Sequence, residues 1–323
     1  MHFVRYNMGT FKKQGVCPEI RKEDFTMKYT KIVAVLLALA MCIAAFAACA
    51  KDTDAGSDAT DATEAPAAAD IVKTVDISLT DELYAFGVSK TDEELQQKTN
   101  EYIAQIKADG TLDGIMDKYF GNGTPTAVTS AEEDESKDQL VVATNAAFPP
   151  FEYTEGADYL GVDMEIMAGL ADFLGKELVI KNIDFKSVFE TVDKGYADIT
   201  ASGITVNEER KNFVTFSDSY YTASQLIIAP AGDTTFDGCK TLEDVEAILN
   251  GFDASVKIGV QEGTTAQFYV EGDEEWGFDG IAATCQPYAN GAQAVNDMVN
   301  GNINYVIIDE GPAHAIVDSV NGK

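Results

Sequence analysis

The sequence has only two histidines, His2 and His314, and five cysteines, none of which forms a Cys-x-x-Cys pair. A structural or catalytic zinc site needs several such ligands at characteristic spacings, so we expect no bound metal. A catalytic serine triad would have to use His314, and no Gly-x-Ser-x-Gly motif accompanies it. We therefore expect no catalytic residue, no metal and no other cofactor.

Basic residues are also scarce. There are 23 Lys and Arg against 54 Asp and Glu, which gives a formal net charge of −31. Nucleic-acid binding requires clustered Lys and Arg, so that class of partner is excluded. The hydrophobic content of 46% over 323 residues is typical of a folded protein with one large domain or two lobes.

One uncharged apolar run lies near the N-terminus. It extends from Ile32 to Ala48, follows Lys28 and Lys31, and ends at Cys49. This arrangement is typical of a secretory signal, and a cysteine directly after small residues resembles the lipobox of bacterial lipoproteins. A plain signal peptide or an uncleaved membrane anchor are the alternatives.

We predict that residues 1–49 are a leader and lipoprotein signal, with Met27 as the natural start and Cys49 as the lipidated residue. Phe46 departs from the leucine usual at its position in a lipobox. Residues 50–69 are rich in Ala, Asp and Thr and predict a flexible tether. The expected location is outside the cytoplasm, with the chain anchored to the cell membrane by lipid.

Beyond residue 139, apolar strand patterns and helical patterns alternate. This rhythm predicts an α/β fold with doubly wound lobes and largely parallel sheets. A polar, low-complexity stretch at 122–138 separates this part from a short leading unit that is too small to form its own core. We divide the chain into a leading unit at 70–121, a linker at 122–138, lobe 1 at 139–223, and a hinge with lobe 2 at 224–323.

Polar residues follow four of the predicted strands, which end near Thr144, Ala201, Val260 and Ile308. Ligands of doubly wound sheets bind outside the carboxyl ends of the strands. A free amino acid is a zwitterion, so its site needs a guanidinium and hydroxyl donors for the carboxylate and an acid for the ammonium. Arg210 and Asp309 are suited to these two tasks.

Four motifs in series then carry a family resemblance: LVVATNAAFPPFEY, GYADITASGITVNEER, IGVQEGTTAQ and VIIDEGPA. They resemble the polar amino-acid-binding proteins of bacterial ABC transporters, over nearly all of 70–120 and 139–323. The resemblance implies a two-lobed, type II periplasmic-binding-protein-like fold, and a monomer that binds a free L-amino acid and delivers it to a transporter permease. It also implies ligand roles for Ser202, Gly203, Thr205, Arg210, Thr264 and Asp309, and aromatic contacts from Phe148 and Phe185. The full predicted ligand set is Asn145, Phe148, Phe185, Ser202, Gly203, Thr205, Arg210, Gln261, Thr264, Thr265 and Asp309.

The first strand in this family often ends in an acidic residue, whereas here it ends in Asn145. Gln261 occupies a position where some members place a ligand-selecting side chain. Because the acidic charge is missing, we predict a neutral polar amino acid as the ligand. Four residues of the predicted ligand set also have a purely structural interpretation: Arg210 as a surface residue, Asp309 as a helix N-cap, and Phe148 and Phe185 as core residues.

The order of the segments differs from the family. Residues 81–121 resemble the part that family members carry at their C-terminal end, yet here they come first. We predict a circular permutation in which 122–138 joins the old ends and new ends open near Asp70 and Lys323. A broken tandem gene, whose leading piece completes a neighbouring copy, is the alternative. We expect the hinge at 223–231 beside 84–90.

Two other functions compete with transport. A dehydratase-like enzyme on the same fold would need an acid or base beside the ligand, and Glu152, Glu262 and Glu310 are the nearby candidates. A sensory amino-acid-binding module would signal to a partner instead of feeding a permease. Cys239 and Cys285 are a possible disulfide, which an oxidising compartment permits.

Overall fold

The computed structural model describes residues 69–323. The predictions for residues 1–49, including Cys49, and for almost all of the tether lie outside the described residues. Within the part that is described, no helix is both long enough and apolar enough to span a bilayer.

Lobe 1 is built on a five-stranded mixed sheet with the strand order β10-β3-β9-β4-β8. The apolar run Leu140–Ala143 places β4 in the interior of the sheet, where Val142 pairs with Ile180 on one side and Ile199 on the other, both in parallel register. The strands are β3 Gly87–Ser89, β4 Gln139–Thr144, β8 Glu177–Asn182, β9 Ile199–Thr200 and β10 Val214–Phe216. A small antiparallel sheet of β5 Ala147–Phe148, β6 Glu152–Glu155 and β7 Asp158–Leu160 follows β4. The helices are α1 Glu93–Ala108, α2 Thr111–Phe120, α3 Val162–Leu174 and α4 Val188–Asp193.

Lobe 2 repeats this plan with the strand order β1-β12-β15-β13-β14. In both lobes three parallel strands form one side and antiparallel strands complete the sheet, so the α/β two-lobed prediction is confirmed, with more antiparallel pairing than expected. The strands are β1 Val72–Val75, β12 Gln225–Pro230, β13 Lys257–Gln261, β14 Thr284–Tyr288 and β15 Tyr305–Asp309. The helices are α5 Leu242–Leu249, α6 Thr265–Glu271, α7 Gly291–Val299 and α8 Glu310–Asn321.

Helix boundaries follow local chemistry. The side chain of Asp92 accepts a hydrogen bond from Leu95 N at 2.8 Å, and this caps α1. A capping box between Thr241 and Asp244 begins α5. Gly322, at φ 73°, ends α8 in the left-handed conformation that glycine adopts without strain.

The two lobes are connected by β2 Glu82–Tyr84 and β11 Tyr221–Ala223, which pair with each other and which we call the hinge pair. The predicted hinge, residues 223–231 beside 84–90, begins two residues after the start of each strand of the hinge pair. Strand β12 belongs to the sheet of lobe 2 and β3 to the sheet of lobe 1, so the crossing lies just before each of them.

The leading unit, residues 70–121, contributes to every part of the fold. Its first strand joins the sheet of lobe 2, its second lies in the hinge pair, and its third lies inside the sheet of lobe 1. Helices α1 and α2 pack on α3, where Tyr102 meets Phe173 and Tyr119 Oη donates to Glu165 Oε1 at 2.8 Å. The unit therefore shares the cores of both lobes and has no core of its own.

Residues 122–138 run along lobe 1 between α2 and β4. Val128 is buried and exchanges backbone hydrogen bonds with Tyr159, and Ala131 N donates to Leu178 O at 2.8 Å. Both ends of the described chain meet beside lobe 2, because Ile71 N donates to Asn321 Oδ1 and Lys323 pairs with Asp70 at 3.0 Å. Cys239 and Cys285 are free, half-buried thiols and do not form a disulfide.

Candidate functional site

The carboxyl ends of the central strands in both lobes face one cleft. Between them lies a small cleft, whose non-atom space of about 260 Å³ includes open solvent and which we call the cavity. All the predicted ligand residues except Asn145 line it, which brings together chain segments more than a hundred residues apart. The lining is Phe148, Phe185, Ser202, Gly203, Thr205, Arg210, Gln261, Thr264, Thr265 and Asp309.

Arg210 is the cation of the cavity, with only 5% of its surface exposed. Its Nη1 donates to Thr205 O at 2.8 Å, and its Nη2 donates to Gly263 O of lobe 2 at 3.1 Å. Burial lowers the pKa of Arg210 to about 10, while the negative charges of Glu82 and Asp309 act in the opposite direction. The guanidinium is held by carbonyl groups of both lobes, and no carboxylate among residues 69–323 is bonded to it, so a ligand carboxylate is a suitable partner.

Asp309 is the anion of the cavity and ends β15. It accepts a hydrogen bond from Tyr84 Oη at 2.5 Å. Burial, followed by the charge of Glu82, raises the pKa of Asp309 to about 7. A cationic ligand group beside Asp309 would favour its ionised form.

The Ser202–Gly203 turn is held from behind by two fully buried acids. Ser202 Oγ donates to Glu152 Oε1 at 2.9 Å, and Gly203 N donates to Asp163 Oδ2 at 2.9 Å. Burial raises the pKa of Glu152 well above its ordinary range and that of Asp163 to about 7. Gly203 has φ 52°, and a Cβ there would lie 2.9 Å from the ring of Phe148, so the turn requires glycine.

The loop after β13 supplies the wall from lobe 2. Thr264 Oγ1 donates to Gln261 O at 2.9 Å, so its hydroxyl hydrogen stays within the loop. Thr265 Oγ1 donates instead to Glu82 Oε2 at 2.7 Å. Thr264 and Thr265 therefore have different hydrogen-bond partners although they are adjacent in the chain.

Asn145 lies just behind the cavity and connects the lobes. Its Nδ2 donates to Ile183 O at 2.8 Å, and its Oδ1 accepts from Gln261 Nε2 at 3.3 Å. The Ile183 carbonyl thus sets the orientation of the Asn145 amide, which in turn sets that of Gln261. As a result Gln261 Oε1 is buried and has no hydrogen-bond partner among residues 69–323.

The two predicted aromatic residues both line the cavity, each beside a different residue. Phe148 approaches Gly203, and Phe185 lies with the Arg210 guanidinium carbon 5.5 Å from its ring centroid. Both also belong to hydrophobic core clusters, so each ring packs in the core and lines the cavity at once.

Sequence reasoning missed four residues around this cavity. Glu82 and Tyr84 come from the hinge pair, behind Thr205, Thr265 and Asp309. Phe189 and Trp276 place their rings 5.0 and 5.4 Å from the Arg210 guanidinium carbon. The Glu82-Leu-Tyr84 string has no motif of its own. Only its pairing with β11 places it at the site.

The three acids considered for catalysis do not line the cavity. Glu152 is buried behind Ser202, Glu262 forms an exposed ion pair with Lys186, and Glu310 accepts a hydrogen bond from Ser224. Within the described residues, no group of three or more His, Cys, Asp and Glu is arranged to hold a metal.

Comparison with known proteins gives a family match. The model of the bacterial extracellular solute-binding proteins, family 3, matches residues 140–310, which is more than half of the chain. The chain is 33% identical over 140 residues to the arginine-binding extracellular protein ArtP of Bacillus subtilis (strain 168), covering 43% of this chain and 52% of that protein. It is 30% identical over 130 residues to a probable histidine-binding protein of Neisseria gonorrhoeae, covering 40% and 44%. The chain therefore spans about half the length of these curated relatives.

A solved structure titled as an ancestral arginine-binding protein bound to arginine is 30% identical, with 57% of this chain and 75% of that chain covered and a TM-score of 0.48.

Proposed function

The chain belongs to family 3 of the bacterial extracellular solute-binding proteins, and we propose that it captures one free amino acid between its lobes for an ABC importer. The observation that carries this proposal is the presence of a buried Arg210 and a buried Asp309 in the lining of one small cavity. A zwitterion places its carboxylate against the guanidinium and its ammonium against the aspartate. Closure of the lobes about the hinge pair buries the amino acid and selects the form that the permease accepts. No chemical step is part of this function.

The proposed location is outside the cytoplasm, with the chain anchored by lipid on Cys49. The family description as extracellular supports the compartment. The uncharged run ending at Cys49 supports the anchor.

The ligand class follows from Gln261. Its Oε1 is a buried acceptor without a partner in the described part of the chain, and an unsatisfied buried acceptor costs stability unless a ligand supplies a donor. We therefore infer a side chain with an N–H donor, and the absence of an acid at Asn145 favours a neutral amide such as glutamine. Arginine and histidine, which the names of the relatives mention, also carry N–H donors, whereas ionised glutamate and aspartate do not.

A thermal-shift screen against the twenty amino acids tests this function. A ligand at about one hundred times its Kd stabilises the folded state by about 2.7 kcal/mol, which raises the melting temperature by about 5 °C or more. We expect glutamine, asparagine, arginine or histidine to give the largest rise. No rise with any amino acid, or the largest rise with glutamate or aspartate, would contradict the proposal.

Replacing Gln261 by leucine should weaken binding of the best ligand by roughly 10- to 100-fold, because its N–H donor then faces a methyl group in a buried site. Isothermal titration calorimetry measures the change. Gln293→Leu, an exposed glutamine in the same lobe, is the matched control and should bind like the wild type. Equal affinity of Gln261→Leu and the wild type would show that Gln261 does not select the ligand.

We also infer that the segment order is a circular permutation in a monomeric protein. The adjacency of Asp70 and Lys323, together with the packing of the leading unit into both lobes, supports it. In the alternative, a broken tandem gene, the leading unit would complete a second copy of the chain.

Re-ordering the chain tests the permutation. A variant that runs from 136 to 323, continues through a short Gly-Ser linker and then carries 69–135 should fold as a monomer with unchanged amino-acid affinity, since its new opening lies in an exposed turn. Light scattering after size exclusion measures the mass of both chains. An obligate dimer of the original order, or a re-ordered chain that does not fold, would contradict the inference.

A further inference from the structure

Glu82 is a buried carboxylate on strand β2 of the hinge pair, outside the cavity wall and outside the predicted ligand set. Only 6% of its surface is exposed. Its Oε2 accepts hydrogen bonds from Thr205 Oγ1 of lobe 1 at 2.6 Å and from Thr265 Oγ1 of lobe 2 at 2.7 Å. Its Oε1 accepts from Thr80 Oγ1 at 2.6 Å and from Gln225 Nε2 at 2.9 Å. One side chain therefore collects donors from both lobes and from the segments beside the hinge pair.

The hydrogen count of the two threonines sets what they offer the cavity. A threonine hydroxyl has one hydrogen and two lone pairs. Because Thr205 and Thr265 both donate their hydrogen to Glu82, they present only lone pairs to the cavity that they line. A ligand group that meets them must be a donor.

The cavity therefore offers a ligand both donors and acceptors. Arg210 supplies donors, while the hydroxyl groups of Thr205 and Thr265 and the carboxyl group of Asp309 supply acceptors. A zwitterion would place its carboxylate against Arg210 and its ammonium against these acceptors. The negative charge of Glu82 lies directly behind the two threonines and favours a cation beside them.

We propose that Glu82 is a positioning residue which orients the hydroxyls of Thr205 and Thr265 from opposite lobes, and so makes the closed cleft selective for a ligand that carries an α-ammonium group. This inference rests on the proposed function and deepens it. It assigns the role to a residue that does not line the cavity and belongs to the leading unit.

The test compares each amino acid with its analogue that lacks the α-ammonium group. The probe pairs are L-glutamine with glutaramate, and L-arginine with 5-guanidinopentanoate. Glu82→Gln removes the charge and at least part of the acceptor capacity at nearly constant size. The ratio measured is the affinity for the amino acid divided by the affinity for its analogue. We expect Glu82→Gln to reduce this ratio roughly 10- to 100-fold, as for loss of a hydrogen-bonded charge. A role in packing alone would weaken both members of a pair equally and leave the ratio unchanged.

Thr80→Val is the matched control, because Thr80 also donates to Glu82 but does not line the cavity. It should keep the ratio of the wild type. If Glu82→Gln does not fold, Thr265→Val removes one of the oriented hydroxyls directly and should reduce the same ratio. Calorimetry gives the affinities, and thermal unfolding shows that each variant is folded.

The outcomes separate the two hypotheses. A wild-type ratio in Glu82→Gln, or an equal reduction in Thr80→Val, overturns the role of Glu82 while the amino-acid function stands. If the folded wild type binds no amino acid at all, the proposed function and this inference both fail.

Discussion

Replacing Arg210 by alanine is expected to weaken amino-acid binding by about 100- to 5000-fold and to remove the thermal shift. The guanidinium is buried, and breaking one partner of a buried charge pair costs about 3–5 kcal/mol. The ligand carboxylate would then enter a cavity that contains only negative charge, from Asp309 and from Glu82 behind it. Calorimetry with the best ligand from the amino-acid screen measures the loss.

Two variants serve as controls for Arg210→Ala. Lys211→Ala removes the neighbouring cation, which forms an exposed ion pair with Glu208, and should bind like the wild type. Arg210→Lys keeps the charge but loses the planar fork that reaches both Thr205 O and Gly263 O, and should give an intermediate loss. An unchanged affinity in Arg210→Ala would remove the basis of the proposed function.

The sequence predicted the place of the site better than its inner organisation. Rules for strand order put the candidate residues at the carboxyl ends of four strands, and the fold brings these ends to one cleft. Periodicity says which strands are buried. It does not say which hydroxyl donates to which carboxylate, so Glu82 could not be recognised before β2 was paired with β11.

Periodicity also does not reveal which strands pair. This explains why the hinge pair lies slightly before the predicted hinge and why the first strand was not predicted. Val72–Val75 is a short VKTV string whose apolar residues give little periodic signal, and it becomes a strand because β12 offers it an edge. The predicted hinge segment 84–90 overlaps two separate strands, because the chain leaves the hinge pair after Tyr84 and enters the sheet of lobe 1 at Gly87. Tertiary pairing decided both positions.

Amino-acid affinity should also rise with pH through about 7, by up to about 10-fold per pH unit below that value. Asp309 has its pKa raised to about 7 by burial and by Glu82, and a bound ammonium lowers it again. Below pH 7 Asp309 of the free protein holds a proton that the ligand must displace. The favourable interaction between Asp309 and the ligand ammonium is therefore complete above this pH and is lost as the pH falls. Arg210, with its pKa of about 10, stays charged throughout this range. Calorimetry with glutamine or arginine between pH 5 and 8 measures the slope; histidine is unsuitable because its own side chain titrates there.

Asp309→Asn separates this titration from that of other buried acids. Asp163 also has its pKa raised to about 7, but it bonds to Tyr220 and to the backbone of Gly203 and does not line the cavity. The asparagine variant should bind roughly 100-fold more weakly at pH 8, as for loss of a charge-assisted bond in a buried site, and its affinity should vary little between pH 5 and 8. If the variant keeps the slope of the wild type, the proton belongs to another group, and Asp309 is not the residue that receives the ammonium.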